Sequence, residues 1–114
     1  MSSVLPNQTV RGSTSGVPIM ALFDILGRKW NMRIMWELRA GPLTFRALQA
    51  QCGGVSPSVM NGRIKQLQAV QLIGVGEGGY VLTDLGQELM DRLDPLRAWS
   101  ADWVEALDRT SESD

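Results

Sequence analysis

The sequence contains no histidine and only one cysteine, Cys52. An imidazole acid, base or metal ligand is therefore excluded, and a single thiolate cannot complete a zinc site. The lone cysteine also rules out an intrachain disulfide and fits a reducing cytosol, so the expected location is cytoplasmic. No run comes near the roughly 18 consecutive apolar residues of a membrane span. Asp84, Glu88 and Asp91 recur at helical spacing, but an acidic helix start and a solvated face explain them better than a cation site. The expectation is a protein that is not an enzyme and carries no cofactor or metal.

What is present is one domain's worth of chain. With 114 residues and 44% apolar content, a single modest core is the limit. Residues 1–16 scatter Ser, Thr, Gly and Pro without a continuous apolar block, and read as a flexible tail rather than a secretory signal. The folded domain is expected over 17–109, with 110–114 fraying. A net charge of −1 hides a strong asymmetry. Residues 28–65 hold seven bases and one acid, Glu37, whereas residues 77–114 hold ten acids and three bases. Positive charge gathered in one half is what phosphate binding requires. Ordinary surface charge is the plainer alternative.

Pro18 opens and Gly27 closes a first short helix over 19–26. A second is predicted over 29–39, with Trp30, Ile34 and Leu38 repeating every four residues on its core face. Gly41-Pro42 stops it. Met32 and Trp36 fall on a different side, which gives this helix a second apolar face in need of a partner. Thr44 is a suitable N-cap for a third helix that turns Phe45 and Leu48 inward. After the turn at Cys52-Gly53-Gly54, Ser56-Pro57 joins a capping hydroxyl to a proline at the first helical position. The fourth helix places Met60, Ile64 and Leu67 on one face. Ser58, Asn61, Gly62, Lys65 and Ala69 fall on the other, flanked by Val59 and Gln66.

Beyond Val70 the pattern changes. Residues 72–75 and 80–82 read as strands around the glycine-rich Gly76-Glu77-Gly78-Gly79. A phosphate loop would open onto a helix and usually carry lysine, so a hairpin is the better reading. Thr83 caps a fifth helix, Asp84 suits its positive end, and Leu85, Leu89 and Leu93 mark its expected buried side. Asp94-Pro95 starts a sixth helix, whose apolar stripe is Leu96, Trp99, Trp103 and Leu107. The third and fourth helices with their tight turn form a helix-turn-helix, a device that inserts one short helix into a DNA major groove.

Helix, helix, helix-turn-helix, hairpin, helix is the order of a winged helix, mainly α with a small β-hairpin. The chain resembles the HxlR branch of the MarR-like bacterial transcription regulators over roughly residues 17–107. The resembling residues are Leu26-Gly27-Arg28-Lys29-Trp30, Ile34-Met35 with Leu38, and Gly41-Pro42 with Phe45 and Leu48. Val55-Ser56, the Met60/Ile64/Leu67 spacing, Leu72-Ile73, Tyr80-Val81-Leu82-Thr83 with Gly86, and Trp99 continue the match. The resemblance implies a homodimer on pseudo-palindromic operator DNA, acting as a local repressor or activator. It also implies a recognition helix over 57–69, a wing over 73–82, and terminal helices that form the dimer interface.

The chain departs from the family pattern in places. Val17-Pro18 stands where many members carry Cys-Pro, so the sulfur-based sensing that this cysteine performs in some of them is not available. Gln71 replaces a customary glycine at the end of the recognition helix, where a left-handed turn costs about 1 kcal/mol without glycine, so a different local geometry is expected there. The wing is short, lacks the usual arginine and proline, and carries Glu77, which repels phosphate. Cys52 reads as a packing residue with no histidine to activate it.

Charge and face assign the roles. Ser58, Val59, Asn61, Gly62 and Lys65 are the candidates for reading bases or lying against them, since Asn pairs bidentately with adenine and Lys reaches guanine. Arg28, Lys29, Thr44, Arg46, Ser56 and Arg63 are the phosphate candidates. Ile19, Leu22, Phe23, Trp36, Trp99, Trp103 and Leu107 are the candidates for the dimer interface. The expected partners are double-stranded DNA and a second copy of the chain. One alternative is a winged helix used for protein contact with weak or no DNA binding, which the acidic C-terminal half, the short acidic wing and Gly62 in the recognition helix favour. Another is a regulator that answers an apolar or aromatic small molecule held among Met20, Met32, Met35, Trp36, Trp99 and Trp103.

Overall fold

The computed structural model describes residues 17–113, so the tail expected over 1–16 lies outside the described residues. Within them the order is α1 (Pro18–Leu26), α2 (Asn31–Leu38), α3 (Phe45–Gln51), α4 (Pro57–Ala69), β1 (Ile73–Gly76), β2 (Gly79–Leu82), α5 (Asp84–Leu93) and α6 (Pro95–Ser113). This is the winged helix-turn-helix order. Among the described residues no helix is long and apolar enough to cross a membrane.

Local chemistry sets most of the helix ends. Thr44, Ser56 and Thr83 each accept a hydrogen bond through the side-chain oxygen, from the backbone N–H of Ala47 (3.2 Å), Val59 (3.3 Å) and Gly86 (3.0 Å). Each cap satisfies a donor that a helix start leaves without a partner. Pro18 and Pro57 occupy the first turns of α1 and α4, where their missing N–H removes nothing. Helix α2 begins two residues later than the predicted 29–39 span, because Trp30 adopts a left-handed φ of 82° and stands outside the helix as its N-cap. A bulky side chain is strained in that region and needs surrounding bonds to hold it there.

Ile34, Met35, Leu48, Met60, Ile64 and Leu67 are fully buried where α2, α3 and α4 meet. The hairpin pairs Ile73 with Leu82 and Gly76 with Gly79, leaving Glu77-Gly78 as the turn. Leu43 and Tyr80 exchange both backbone hydrogen bonds (3.1 and 2.8 Å), which pins β2, near the turn of the hairpin, to the connection between α2 and α3.

Two expectations about α5 and α6 need correction. The buried side of α5 is Gly86 and Met90 with half-buried Leu89 and Leu93, whereas Leu85 is 55% exposed. The cause is the backbone of Leu72, against which only a glycine at 86 can lie, so α5 is rolled by one residue relative to the leucine stripe. Asp94 keeps helical angles (φ −54°, ψ −40°), and α6 follows α5 after this single residue. Pro95 interrupts the ladder because it has no N–H to donate. Helix α6 is helical through Ser113, past the Thr110 boundary that composition suggests.

Candidate nucleic-acid interface

The helix-turn-helix is α3, the turn at 52–55 and α4. Gly53 and Gly54 have φ of 84° and 79°, values that favour glycine and let the chain reverse tightly. The turn is braced from both sides: the Gly54 N–H donates to the Gln49 carbonyl (2.9 Å), and the Gln49 side-chain amide donates to the Val55 carbonyl (2.7 Å). These bonds orient the start of α4 relative to α3.

Helix α4 is two-faced. Met60, Ile64 and Leu67 are buried, while Ser58, Val59, Asn61, Gly62, Lys65 and Ala69 are exposed. Nothing lies within 4 Å of where a Cβ on Gly62 would stand, so the middle of this face is open and shallow. A surface of small and polar groups on a helix is what close approach to base edges requires. The phosphate candidates Arg28, Lys29, Thr44, Arg46 and Ser56 are also exposed around it. Thr44 and Ser56 use their oxygens as caps, which leaves each hydroxyl hydrogen free to donate to an anion.

Charge pairing differs between the two halves. Arg92, Arg97 and Arg109 sit in ion pairs with Glu88, Asp94 and Glu105. Among the described residues Arg28, Lys29, Arg46, Arg63 and Lys65 are not paired with an acid; within 28–65 only Arg33 is, with Glu37 at 2.7 Å. The positive potential of this half is therefore not cancelled locally. The wing adds nothing to it: residues 73–82 contain no base, and Glu77 is exposed at the turn.

Arg63 is less free than its place on α4 suggests. Its Nε donates to the Lys29 carbonyl (2.8 Å), which ties α4 to the corner between α1 and α2. Arg63 is half-buried, and the neighbouring Lys29 Nζ lies 5.4 Å from the Trp30 ring centroid. Sequence reading also missed Asn31, the one buried polar side chain among the described residues, whose Nδ2 donates to the Gln66 side-chain oxygen of α4. The only signal was an amide between Trp30 and Met32 at the start of the second helix.

Of the interface candidates, Ile19, Phe23, Trp99, Trp103 and Leu107 are exposed, and Leu22 is half-buried. Trp99 and Trp103 stack with centroids 6.0 Å apart, and both remain more than half exposed. Trp36 differs. The Arg39 guanidinium lies 3.4 Å from its ring centroid, and Trp36 also lines a groove of about 290 Å³ with Met32, Met90, Leu93, Leu96, Arg97 and Ser100. Met35 belongs to the core instead, and Met20, Trp99 and Trp103 do not line the groove.

Residues 25–108 match the HxlR-like helix-turn-helix family. MJ0925 of Methanocaldococcus jannaschii, an HTH-type transcriptional regulator, is 31% identical over 91 residues, which span 76% of this chain and 86% of the relative. The HTH-type transcriptional regulator YodB of Bacillus subtilis is 24% identical over 110 residues, 90% of this chain and 98% of YodB. The crystal structure of quinone-bound YodB aligns with a TM-score of 0.68 at 25% identity, over 74% of this chain and 96% of that one. The crystal structure of ytcD, an HTH-type transcriptional regulator, shares the fold with a TM-score of 0.68 at 23% identity, over 76% of this chain and 96% of that one.

Proposed function

The chain belongs to the HxlR-like helix-turn-helix family and is a transcriptional regulator with a DNA-binding helix-turn-helix, and from that premise we propose that it acts as a homodimer on pseudo-palindromic operators in the cytoplasm. The observation that carries the reading is the exposed face of α4, mostly small and polar, set with Arg28, Lys29, Arg46, Arg63 and Lys65, which pair with no acid among the described residues. Ser58, Val59, Asn61, Gly62 and Lys65 contact bases, with Asn61 and Lys65 supplying direction. Arg28, Lys29, Thr44, Arg46, Ser56 and Arg63 hold phosphates and set the register. Ile19, Leu22, Phe23, Trp99, Trp103 and Leu107 bury their apolar surface against a second copy, which spaces two α4 helices for successive major grooves.

Selection of bound fragments from the source genome tests this directly. Paired half-sites about one helical turn apart, ~34 Å, are the expected result. Recovery of fragments with no shared sequence would overturn the operator reading and leave the protein-contact alternative.

A second reading has its own observation. The groove between α2, α5 and α6 is lined mainly by apolar side chains, with Arg97 and Ser100 as its polar members. It joins the α2 core helix to the helix proposed to dimerise, so an aromatic ligand held there would bias the spacing of the two halves. The quinone-bound YodB structure supports a small-molecule response of this kind. Tryptophan fluorescence of Trp36, unmoved by a panel of aromatic ligands, would count against it.

A further inference from the structure

The apolar stripe of α4 leaves one degree of freedom open. Met60, Ile64 and Leu67 bury the helix, but hydrophobic contacts are non-directional and permit some roll about the axis. At a radius of ~6 Å, a roll of ~20° moves an outward-facing atom by ~2 Å. That is well beyond the ~0.5 Å tolerance of a working site.

Two hydrogen bonds on a single flank of α4 oppose that roll. Gln66 accepts from Asn31 Nδ2 (2.9 Å), and one turn earlier Arg63 Nε donates to the Lys29 carbonyl (2.8 Å). Three residues apart, these side chains share a flank, and both reach the same corner, residues 29–31. The corner itself is fixed to α1, since Asn31 Nδ2 also donates to the Ile25 carbonyl (2.7 Å). Asn31 is completely buried, and its Oδ1 has no hydrogen-bond partner among the described residues. A buried amide half satisfied in this way detracts from stability. Its return lies in direction.

We propose that the Asn31–Gln66 hydrogen bond sets the roll of α4 and so makes Asn31 and Gln66 positioning residues for DNA sequence discrimination. The inference rests on α4 being the base-reading helix. Neither residue needs to touch DNA; each acts through Ser58, Asn61 and Lys65.

The test uses the full chain and a duplex recovered by in vitro selection from random DNA. Affinities for that duplex and for a scrambled one of equal length are compared for the wild type, Asn31→Leu, Gln66→Met and the double variant. The expected result is a discrimination ratio that falls about tenfold, the size of one good base contact, with affinity for the scrambled duplex unchanged. Gln66→Glu still accepts from Asn31 and keeps the wild-type ratio. The thermal midpoint of the double variant stays at or above the wild-type value, because the half-satisfied amide is gone. A purely structural role predicts the reverse: a lowered midpoint with discrimination intact. Gln66→Met, at a half-buried position, carries the test where Asn31→Leu does not fold. A wild-type ratio retained by the variants overturns the inference alone. No sequence preference in the wild type overturns the operator reading, and this inference with it.

Discussion

Gly86 of α5 lies against the backbone of Leu72 so closely that a Cβ at position 86 would overlap the Leu72 carbonyl oxygen. The same carbonyl accepts a hydrogen bond from the Thr83 N–H (3.1 Å), and the Thr83 hydroxyl donates to the Gln71 carbonyl (2.6 Å). The end of α4, the start of the hairpin and the start of α5 are therefore locked together through one glycine. Gly86→Ala is expected to destabilise the fold by about 2–3 kcal/mol, the upper part of the overpacking range, since backbone rather than a flexible side chain must yield. Denaturant titration followed by circular dichroism measures it. A midpoint equal to the wild type would mean that α5 moves away freely.

Gln71 provides the opposite case. Its φ of 65° is left-handed, so the turn keeps the geometry of a glycine while carrying a side chain that disfavours it. Gln71→Gly is expected to stabilise the protein by up to about 1 kcal/mol, the left-handed penalty less the entropy glycine adds to the unfolded chain. The Thr83 hydrogen bond goes to the backbone carbonyl and survives the change. A rise in thermal midpoint checks the sign.

These two glycine-type positions show what was legible in the sequence. Local signals carried far: caps at Thr44, Ser56 and Thr83, proline at first turns, and the Met60/Ile64/Leu67 period all lead to the observed elements. At Gln71 the missing glycine pointed to a different local turn, yet the backbone keeps the left-handed φ of 65°. What sequence could not supply was contact between distant segments. Leu85, Leu89 and Leu93 have helical spacing, yet the approach of Gly86 to Leu72 decides which side of α5 faces in. Trp30 has the period of a core residue, but its left-handed backbone depends on the bonds of Lys29, Asn31 and Arg63 to their distant partners. Arg63 reads as one more surface base until α4 is seen to cross the corner at Lys29.

The two kinds of DNA contact proposed for α3 and α4 separate experimentally. Arg46 is exposed at the start of α3 and unpaired with any acid among the described residues. Arg46→Ala is expected to weaken binding to every duplex alike and to reduce the slope of log affinity against log salt by about one unit per contact in each half-site. Asn61→Ala leaves that slope alone and relaxes preference at one base position, by about 1–3 kcal/mol. Anisotropy titration over a salt series measures both. Identical behaviour of the two variants would remove the division of labour between α3 and α4.

Trp103 carries the oligomer prediction. With Trp99 it forms a stacked pair on a helix that packs against α5 and is otherwise exposed. Aromatic anchors of this kind are typically worth about 2 kcal/mol or more when buried at an interface. Trp103→Asp is therefore expected to raise the dimer dissociation constant at least ~30-fold, the equivalent of that energy, while helicity is retained. Sedimentation velocity across a concentration series gives the constant. A wild-type chain that stays monomeric throughout would show that the α6 face serves another partner.

Cys52 bears on whether this regulator senses electrophiles through a thiol. It is 2% exposed, and burial raises its pKa above the ordinary thiol value; Arg33 opposes the shift and Glu37 adds to it. A raised folded pKa means that the native state keeps its proton when the unfolded chain has lost it. The stability this contributes is complete below the unfolded thiol's pKa and declines as pH rises from there through the folded value. At neutral pH the thiolate, the reactive form, is scarce as well as covered. Native protein exposed to a benzoquinone is expected to keep its mass, whereas the same treatment in denaturant adds one adduct. Intact-mass spectrometry reads both arms. Val17 stands where the family resemblance leads one to expect a cysteine before Pro18, so an unmodified native Cys52 would favour the proposed non-covalent site in the groove beside Trp36 over a thiol sensor. Rapid native labelling would reverse that conclusion and make the turn of the helix-turn-helix itself the sensor.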